Sequence, residues 1–383
     1  MARAHPALSA TGAMTVVVVM PLAEQRGGAE LSLRQLTRHG RGHGVTWVVV
    51  FLEDGPMVRE LERLGVRVVV VAAGRLRYAH RTIATVAQIS RVARRERAAL
   101  IVGWMTKGHV YGGAAALLAR TPAVWYQHGT VGLCDRLERL AAMVPANGVI
   151  TVSRAQARAQ AAMHGPRRQR TVYPGTDLTR FDRARLASPA KLRARLGLPR
   201  DGPLIGIVGR LQRWKGVHVL IDAMALVRRS HPNAHCVVVG GAHDLEAGYR
   251  AELDAQVARL ELGRHVTFAG FQDNVPEWMH AMDVFVHASH REPFGMVVVE
   301  AMALAKPVIA GSDGGPQEIL TDGVDGLLVA HGDAGALAAA LRLYLDDPEF
   351  ARGVGDAACR RAADFSAPRY AENVIAALRE LCA

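Results

Sequence analysis

The densest gathering of chemically able residues is Arg291-Glu292-Pro293-Phe294-Gly295-Met296-Val297-Val298-Val299-Glu300-Ala301-Met302. Pro293 and Gly295 break the chain after an apolar run ending near Ser289, and the spacing predicts a helix from Gly295–Met296 onward. A helix start leaves N–H groups unpaired and carries partial positive charge, a natural seat for phosphate. Glu292 falls just before that seat, and Glu300 falls one turn inside the helix. Carboxylates there can accept paired hydrogen bonds from sugar hydroxyls; the plainer alternative is a pair that merely complements a helix dipole. A second cluster, Gly209-Arg210-Leu211-Gln212-Arg213-Trp214-Lys215-Gly216, again joins a strand end to a helix. Arg210 and Lys215 around a tight turn can converge on one diphosphate, arginine by its planar fork and lysine as a point charge. Only four of the 47 basic residues are lysines (Lys107, Lys191, Lys215, Lys306), so a lysine at 215 points to a geometric demand. Arg213 is expected to face solvent.

Weaker signals lie elsewhere. Gly27-Gly28-Ala29-Glu30 follows the first strand-like run and allows close backbone approach before a helix. It is not G-x-G-x-x-G, and the absence of that fingerprint after any strand counts against a dinucleotide oxidoreductase. His128, in Trp125-Tyr126-Gln127-His128-Gly129, sits at a strand's carboxyl end, where it could donate to a substrate oxygen or shuttle a proton. Lys107 and His109 are expected at the same rim. In Asp313-Gly314-Gly315-Pro316-Gln317-Glu318 the glycines could approach a ligand, or simply turn the chain into a helix. No Asp-x-Asp, G-x-S-x-G or H-E-x-x-H motif appears, and no metal site is expected.

These clusters need elements to hold them. Apolar, β-branched runs at 14–20, 45–51, 66–72, 99–104, 123–127 and 148–153 alternate with amphipathic stretches, and the pattern restarts at 203–209, 234–241, 265–270, 284–289 and 306–311. Continuous apolar runs of this kind belong to parallel strands covered on both faces. The expected class is α/β, with two doubly wound Rossmann-like domains facing a central cleft and ligands at the carboxyl ends of the strands. The expected boundaries are a disordered tail over 1–13 or a start at Met14, an N-terminal domain over 14–180, a C-terminal domain over 181–365, and a last helix over 366–383 crossing back to the first domain.

A chain of 383 residues with 50% hydrophobic and 21% charged residues is compact and ordered, not fibrous. Of the net charge of +12, residues 1–190 carry +16 and residues 191–383 carry −4. A basic half suits an acidic ligand or an anionic membrane surface. Nucleic acid is disfavoured, because aromatics are 5% and form no stacking array beside the arginines. Four scattered cysteines (Cys134, Cys236, Cys359, Cys382) without C-x-x-C fit a reducing cytoplasm, and no leader or membrane-spanning run is read.

Taken together, GGAE (27–30), VYPGTD (172–177), GRLQRWKG (209–216), VVVGG (237–241), VTFAGF (266–271), the E-x7-E segment EPFGMVVVE (292–300) and GGPQE (314–318) resemble glycosyltransferase family 4, the retaining family with the two-Rossmann GT-B fold. The resemblance implies a hexosyltransferase that moves a sugar from a UDP- or GDP-linked donor to a hydroxyl acceptor, with the donor as co-substrate and neither metal nor other cofactor. It implies that Arg210 and Lys215 hold the diphosphate and that the N–H groups around Phe294, Gly295, Met296 and Val297 cap the phosphates. It implies Glu292 on the donor-sugar hydroxyls, Glu300 on the ribose and Phe271 bordering the base. Gly27 and Gly28 would let the first domain's loop approach the diphosphate, and His128 would lie by the transferred sugar. A cytoplasmic enzyme follows, with the basic half allowing peripheral contact with the inner face of a membrane. The alternative activity is a GT-B-shaped UDP-sugar 2-epimerase, disfavoured because the first domain's loops offer no clear carboxylate set.

Overall fold

A computed structural model describes residues 14–382 apart from 26, 75, 130–135, 165–166 and 244–245. The expected tail over 1–13 and Cys134 lie outside the described residues. The chain divides into two compact units, Met1–Gly175 with Ala367–Ala383, and Thr176–Ser366.

In the first unit the elements are β1 (Met14–Met20), α1 (Gly28–His39), β2 (Val45–Phe51), α2 (Pro56–Arg63), β3 (Arg67–Val70), α3 (Ala79–Arg95), β4 (Leu100–Trp104), α4 (Met105–Ala119), β5 (Ala123–Gln127), α5 (Arg136–Met143), β6 (Gly148–Thr151), α6 (Arg154–His164) and β7 (Gln169–Thr171). The strands form one parallel sheet in the order β3-β2-β1-β4-β5-β6-β7. Val16, Val17, Val18 and Val19 of β1 are all fully buried, as a strand covered on both faces requires. Buried side chains of α4, among them Val110, Tyr111, Ala115 and Ala116, run around the helix, because it packs against β4, β5 and α3 together.

The second unit repeats the plan with α7 (Pro189–Arg195), β8 (Leu204–Val208), α8 (Val217–Val227), β9 (His235–Val239), α9 (Tyr249–Arg259), β10 (Val266–Gly270), α10 (Val275–Ala281), β11 (Val284–His287), α11 (Met296–Ala303), β12 (Val308–Gly311), α12 (Pro316–Ile319) and β13 (Leu327–Val329). Its sheet is also parallel, ordered β10-β9-β8-β11-β12-β13. Two helices follow, α13 (Ala334–Asp346) and α14 (Pro348–Ala362), each started by an aspartate. Asp333 Oδ1 accepts from the Ala336 N–H at 2.8 Å and Asp347 Oδ1 from the Phe350 N–H at 2.9 Å.

The chain passes between the units twice, and on the second unit's side the two passages lie together, with the Thr176 N–H donating to the Phe365 carbonyl at 2.9 Å. The last helix, α15 (Ala367–Cys382), belongs to the first unit and packs along α1. Its Tyr370 hydroxyl meets the buried Tyr126 hydroxyl of β5 at 3.2 Å. Tyr370→Phe is expected to lower stability by about 1 to 2 kcal/mol, read from chemical denaturation, because Tyr126 keeps a buried hydroxyl without that partner. Among the described residues, no helix is long and apolar enough to cross a membrane.

Candidate active site

The second sheet reverses its direction of growth between β8 and β11, which are hydrogen-bonded neighbours. Loops leaving the carboxyl ends of two such strands part to opposite sides and leave a crevice suited to a ligand. The β8 loop carries Arg210 and Lys215, and the β11 loop carries Glu292. The His290 N–H donates to the Trp214 carbonyl at 2.7 Å and joins the two loops. Lys215 Nζ lies 2.6 Å from Glu292 Oε2 and 4.0 Å from the centre of the Trp214 ring. His287, the last residue of β11 and 2% exposed, places Nε2 3.2 Å from the same Glu292 oxygen and 3.1 Å from Ser289 Oγ. Burial by itself would raise the Glu292 carboxyl, but Lys215 and His287 together hold it down at about 2. Glu292 is therefore an anion at any physiological pH.

The helix seat also forms. Gly295 caps α11 with φ +106, a left-handed conformation that an L side chain resists, and the amides of Gly295, Met296 and Val297 find no backbone acceptor among the described residues. Phe294 is buried, its ring 5.8 Å from that of Phe365. Gly314, with φ +80, and Gly315 turn the chain into α12, the second of the two readings the sequence allowed. They also pack against the chain itself: Glu292 and Gly314 form a parallel bridge, and the Gly315 N–H donates to the Glu292 carbonyl at 2.8 Å. A Cβ on Gly315 would stand 2.2 Å from Phe294 Cα. These glycines brace the segment that carries Glu292.

Arg210 is half-buried and, among the described residues, has no ion-pair partner, so its guanidinium is uncommitted. Arg213 is exposed, paired with Glu252 at 2.5 Å. Phe271, just past β10 at the sheet's edge, is 75% exposed and lies beside Gly241. Glu300 is buried inside α11, and burial raises its carboxyl to about 7 while Arg180 pulls it partly back. The folded protein thus holds a proton there that the unfolded chain, near 4.5, has lost. The stability tied to that proton is complete below pH 4.5 and is lost as pH rises through about 7. Glu300→Gln is expected to flatten this decline, measured by denaturant unfolding across that window.

In the first unit the sheet reverses between β1 and β4. Gly27 and Gly28 open α1 just beyond β1, and the Trp104 indole N–H at the end of β4 donates to the Ala29 carbonyl at 3.0 Å. His128, just past β5, lies against Trp104 and Tyr126, with ring centres 4.6 and 4.3 Å away. Its Nε2 is buried with no hydrogen-bond partner among the described residues, and burial lowers its pKa to about 3. The imidazole is neutral at pH 7, which suits a hydrogen bond to a ligand and disfavours proton shuttling by an imidazolium. His109 is not at the rim as expected. It is fully buried, stacked on Trp125 at 4.8 Å with Nε2 3.3 Å from the Val144 carbonyl, because α4 turns it under the sheet. Lys107 stays half-buried on the first turn of α4. Sequence reasoning missed His287 and Ser289; a histidine in an otherwise apolar strand five residues before Glu292 was the available signal. Among the described residues, no three His, Cys, Asp or Glu side chains gather to hold a metal ion.

Comparison with known proteins gives the family. A model described as Glycosyltransferase Family 4 matches residues 26–180, and one described as Glycosyl transferases group 1 matches residues 189–361. A D-inositol 3-phosphate glycosyltransferase of Streptomyces avermitilis is 37% identical over 200 residues, 51% of this chain and 43% of that protein. The lipopolysaccharide core biosynthesis mannosyltransferase LpsB of Rhizobium meliloti is 30% identical over 213 residues, 55% of this chain and 60% of that protein. The chain spans about half the length of the curated relatives it matches. Anabaena HepE, solved in complex with UDP, has a TM-score of 0.85 and 28% identity over 96% of this chain and 100% of that one. The same protein has also been solved with UDP-glucose. With two parallel-sheet Rossmann-like domains and two matching models that between them take in residues 26–180 and 189–361, the chain belongs to glycosyltransferase family 4 and has the GT-B fold.

Proposed function

We propose that the protein is a retaining hexosyltransferase that moves a sugar from a nucleoside-diphosphate donor to a hydroxyl acceptor. The observation that carries this is the meeting of Lys215 and Glu292 at the switch point of the second sheet, beside the uncommitted Arg210 and the open amides of α11. Breaking a glycosyl–phosphate bond builds negative charge on the departing diphosphate, and cations and dipoles already aimed at it lower the barrier. Arg210, Lys215 and the amides around Phe294–Val297 take that charge. Glu292 accepts from donor-sugar hydroxyls, Glu300 from the ribose, and Phe271 borders the base. In the first unit Gly27 and Gly28 admit the diphosphate, and the neutral His128 donates to the transferred sugar or the acceptor. No metal or further cofactor is assigned a step.

UDP heads the candidate donor nucleotides because HepE was solved with UDP and UDP-glucose, and GDP is the alternative. The relatives' names point to two acceptor classes, a phosphorylated polyol and a growing lipid-linked saccharide. We place the reaction in the cytoplasm, the compartment that scattered cysteines without C-x-x-C fit. The +16 of residues 1–190 supports a peripheral contact with anionic lipid for the second acceptor class. A thermal-shift panel of UDP- and GDP-sugars tests the donor, since a ligand at 100 times its Kd adds about 2.7 kcal/mol to stability. A panel with no shift for any of them would sink the assignment. Salt-insensitive behaviour in co-sedimentation with anionic vesicles would remove the membrane contact.

A further inference from the structure

Two side chains compete for one oxygen of Glu292. Lys215 Nζ and His287 Nε2 both approach Oε2, at 2.6 and 3.2 Å, while Oε1 makes no hydrogen bond among the described residues. Lys215 reaches the carboxylate from the β8 loop and His287 from the end of β11. The His287 ring is buried, and its Nδ1 has no hydrogen-bond partner among the described residues. A proton on Nδ1 would leave a buried donor unpaired and set the Nε2 lone pair against an anion. The favoured tautomer therefore carries its proton on Nε2, with Ser289 Oγ 3.1 Å away on the same nitrogen.

Resting on the assignment of Lys215 to the donor diphosphate, we propose that His287 is a positioning residue: its Nε2–H retains and aims the Glu292 carboxylate when the Lys215 ammonium turns from Glu292 to the diphosphate. No bond forms or breaks in this exchange, and no proton changes owner. Without His287, the departure of Lys215 would strand a buried anion, which would either hold the lysine back or take up a proton. With it, Oε2 stays bound and Oε1 faces a sugar hydroxyl.

The ligand-free protein provides the first test. Glutamate side chains are 13C-labelled and titrated by NMR, with the Glu292 signal identified by its absence in Glu292→Gln. In Lys215→Met the carboxyl should still titrate below the ordinary glutamate range, and in the double variant with His287→Leu it should rise above that range. Identical titration in the two variants would overturn the proposal. UDP and UDP-glucose serve as probes for the second test. His287→Leu should leave UDP affinity within about twofold while lowering UDP-glucose turnover about tenfold, and His287→Gln, which keeps an N–H donor, should restore most of it. Full turnover in His287→Leu, or equal loss of UDP affinity and turnover, counts against the role. Turnover that survives both Lys215→Met and Glu292→Gln instead removes the donor-site assignment, and the titration alone then decides on His287.

Discussion

Lys215→Ala is expected to reduce sugar transfer by a factor of about 100 to 1,000, the cost of removing one preorganised donor from a site of developing charge. The loss should fall on kcat more than on KM, because the ammonium matters most once the diphosphate carries its full departing charge. Lys215→Arg should rescue little: the position is bounded by the Trp214 ring at 4.0 Å and Glu292 at 2.6 Å, and a planar fork does not replace a compact ammonium there. Steady-state kinetics with the donor found in the panel checks the ranking. Near-normal kcat in Lys215→Ala would remove the lysine from the leaving-group site. The substitution should also lift the Glu292 carboxyl from about 2, since its nearest cation is gone.

Gly315→Ala should have the largest effect on structure. The backbone of Gly315 is ordinary, with φ −65, so the penalty is steric alone. The new methyl would stand 2.2 Å from Phe294 Cα and 2.3 Å from the Phe294 carbonyl oxygen, both main-chain atoms that no rotamer change can move. Relief requires the 292–294 segment to shift, which drags Glu292 from Lys215. A loss of about 3 kcal/mol in stability is expected, together with a fall in transfer, from denaturant unfolding and kinetics on one preparation. Gly248→Ala is the control: its Cβ would meet no atom within 4 Å, and its stability should stay within about 0.5 kcal/mol of the parent. Equal stability of the two variants would refute the bracing role of Gly315.

Much of the architecture was legible because valine-rich runs admit few alternatives. β1 occupies the run 14–20 and β2 the run 45–51 with the bounds the pattern indicates. β7, Gln-Arg-Thr, and β13, Leu-Leu-Val, were not, since three residues at a sheet edge carry too little pattern to be told from a loop. α4 lacked an amphipathic period because it is covered on several sides, and that hid the burial of His109. In the site, the residue types of Glu292, Lys215 and Arg210 were legible and their pairing was not. The contact between Lys215 and Glu292 joins positions 77 apart, and it exists because β8 and β11 are neighbours, a fact of strand order that no local pattern encodes. His287 was overlooked for the same reason, since its meaning depends on a lysine brought in by the loop after another strand.

The return of α15 to the first unit sets an order of events during synthesis. β1 to β7 leave the ribosome early, yet the partner of Tyr126 and the helix that lies along α1 come only after the whole of the second unit. At about 5 to 20 residues per second, the first unit waits roughly 10 to 40 s with that flank uncovered. A nascent chain stalled before residue 367 would present it to chaperones, whereas the second unit, contiguous from Thr176 to Ser366, can close as soon as it emerges.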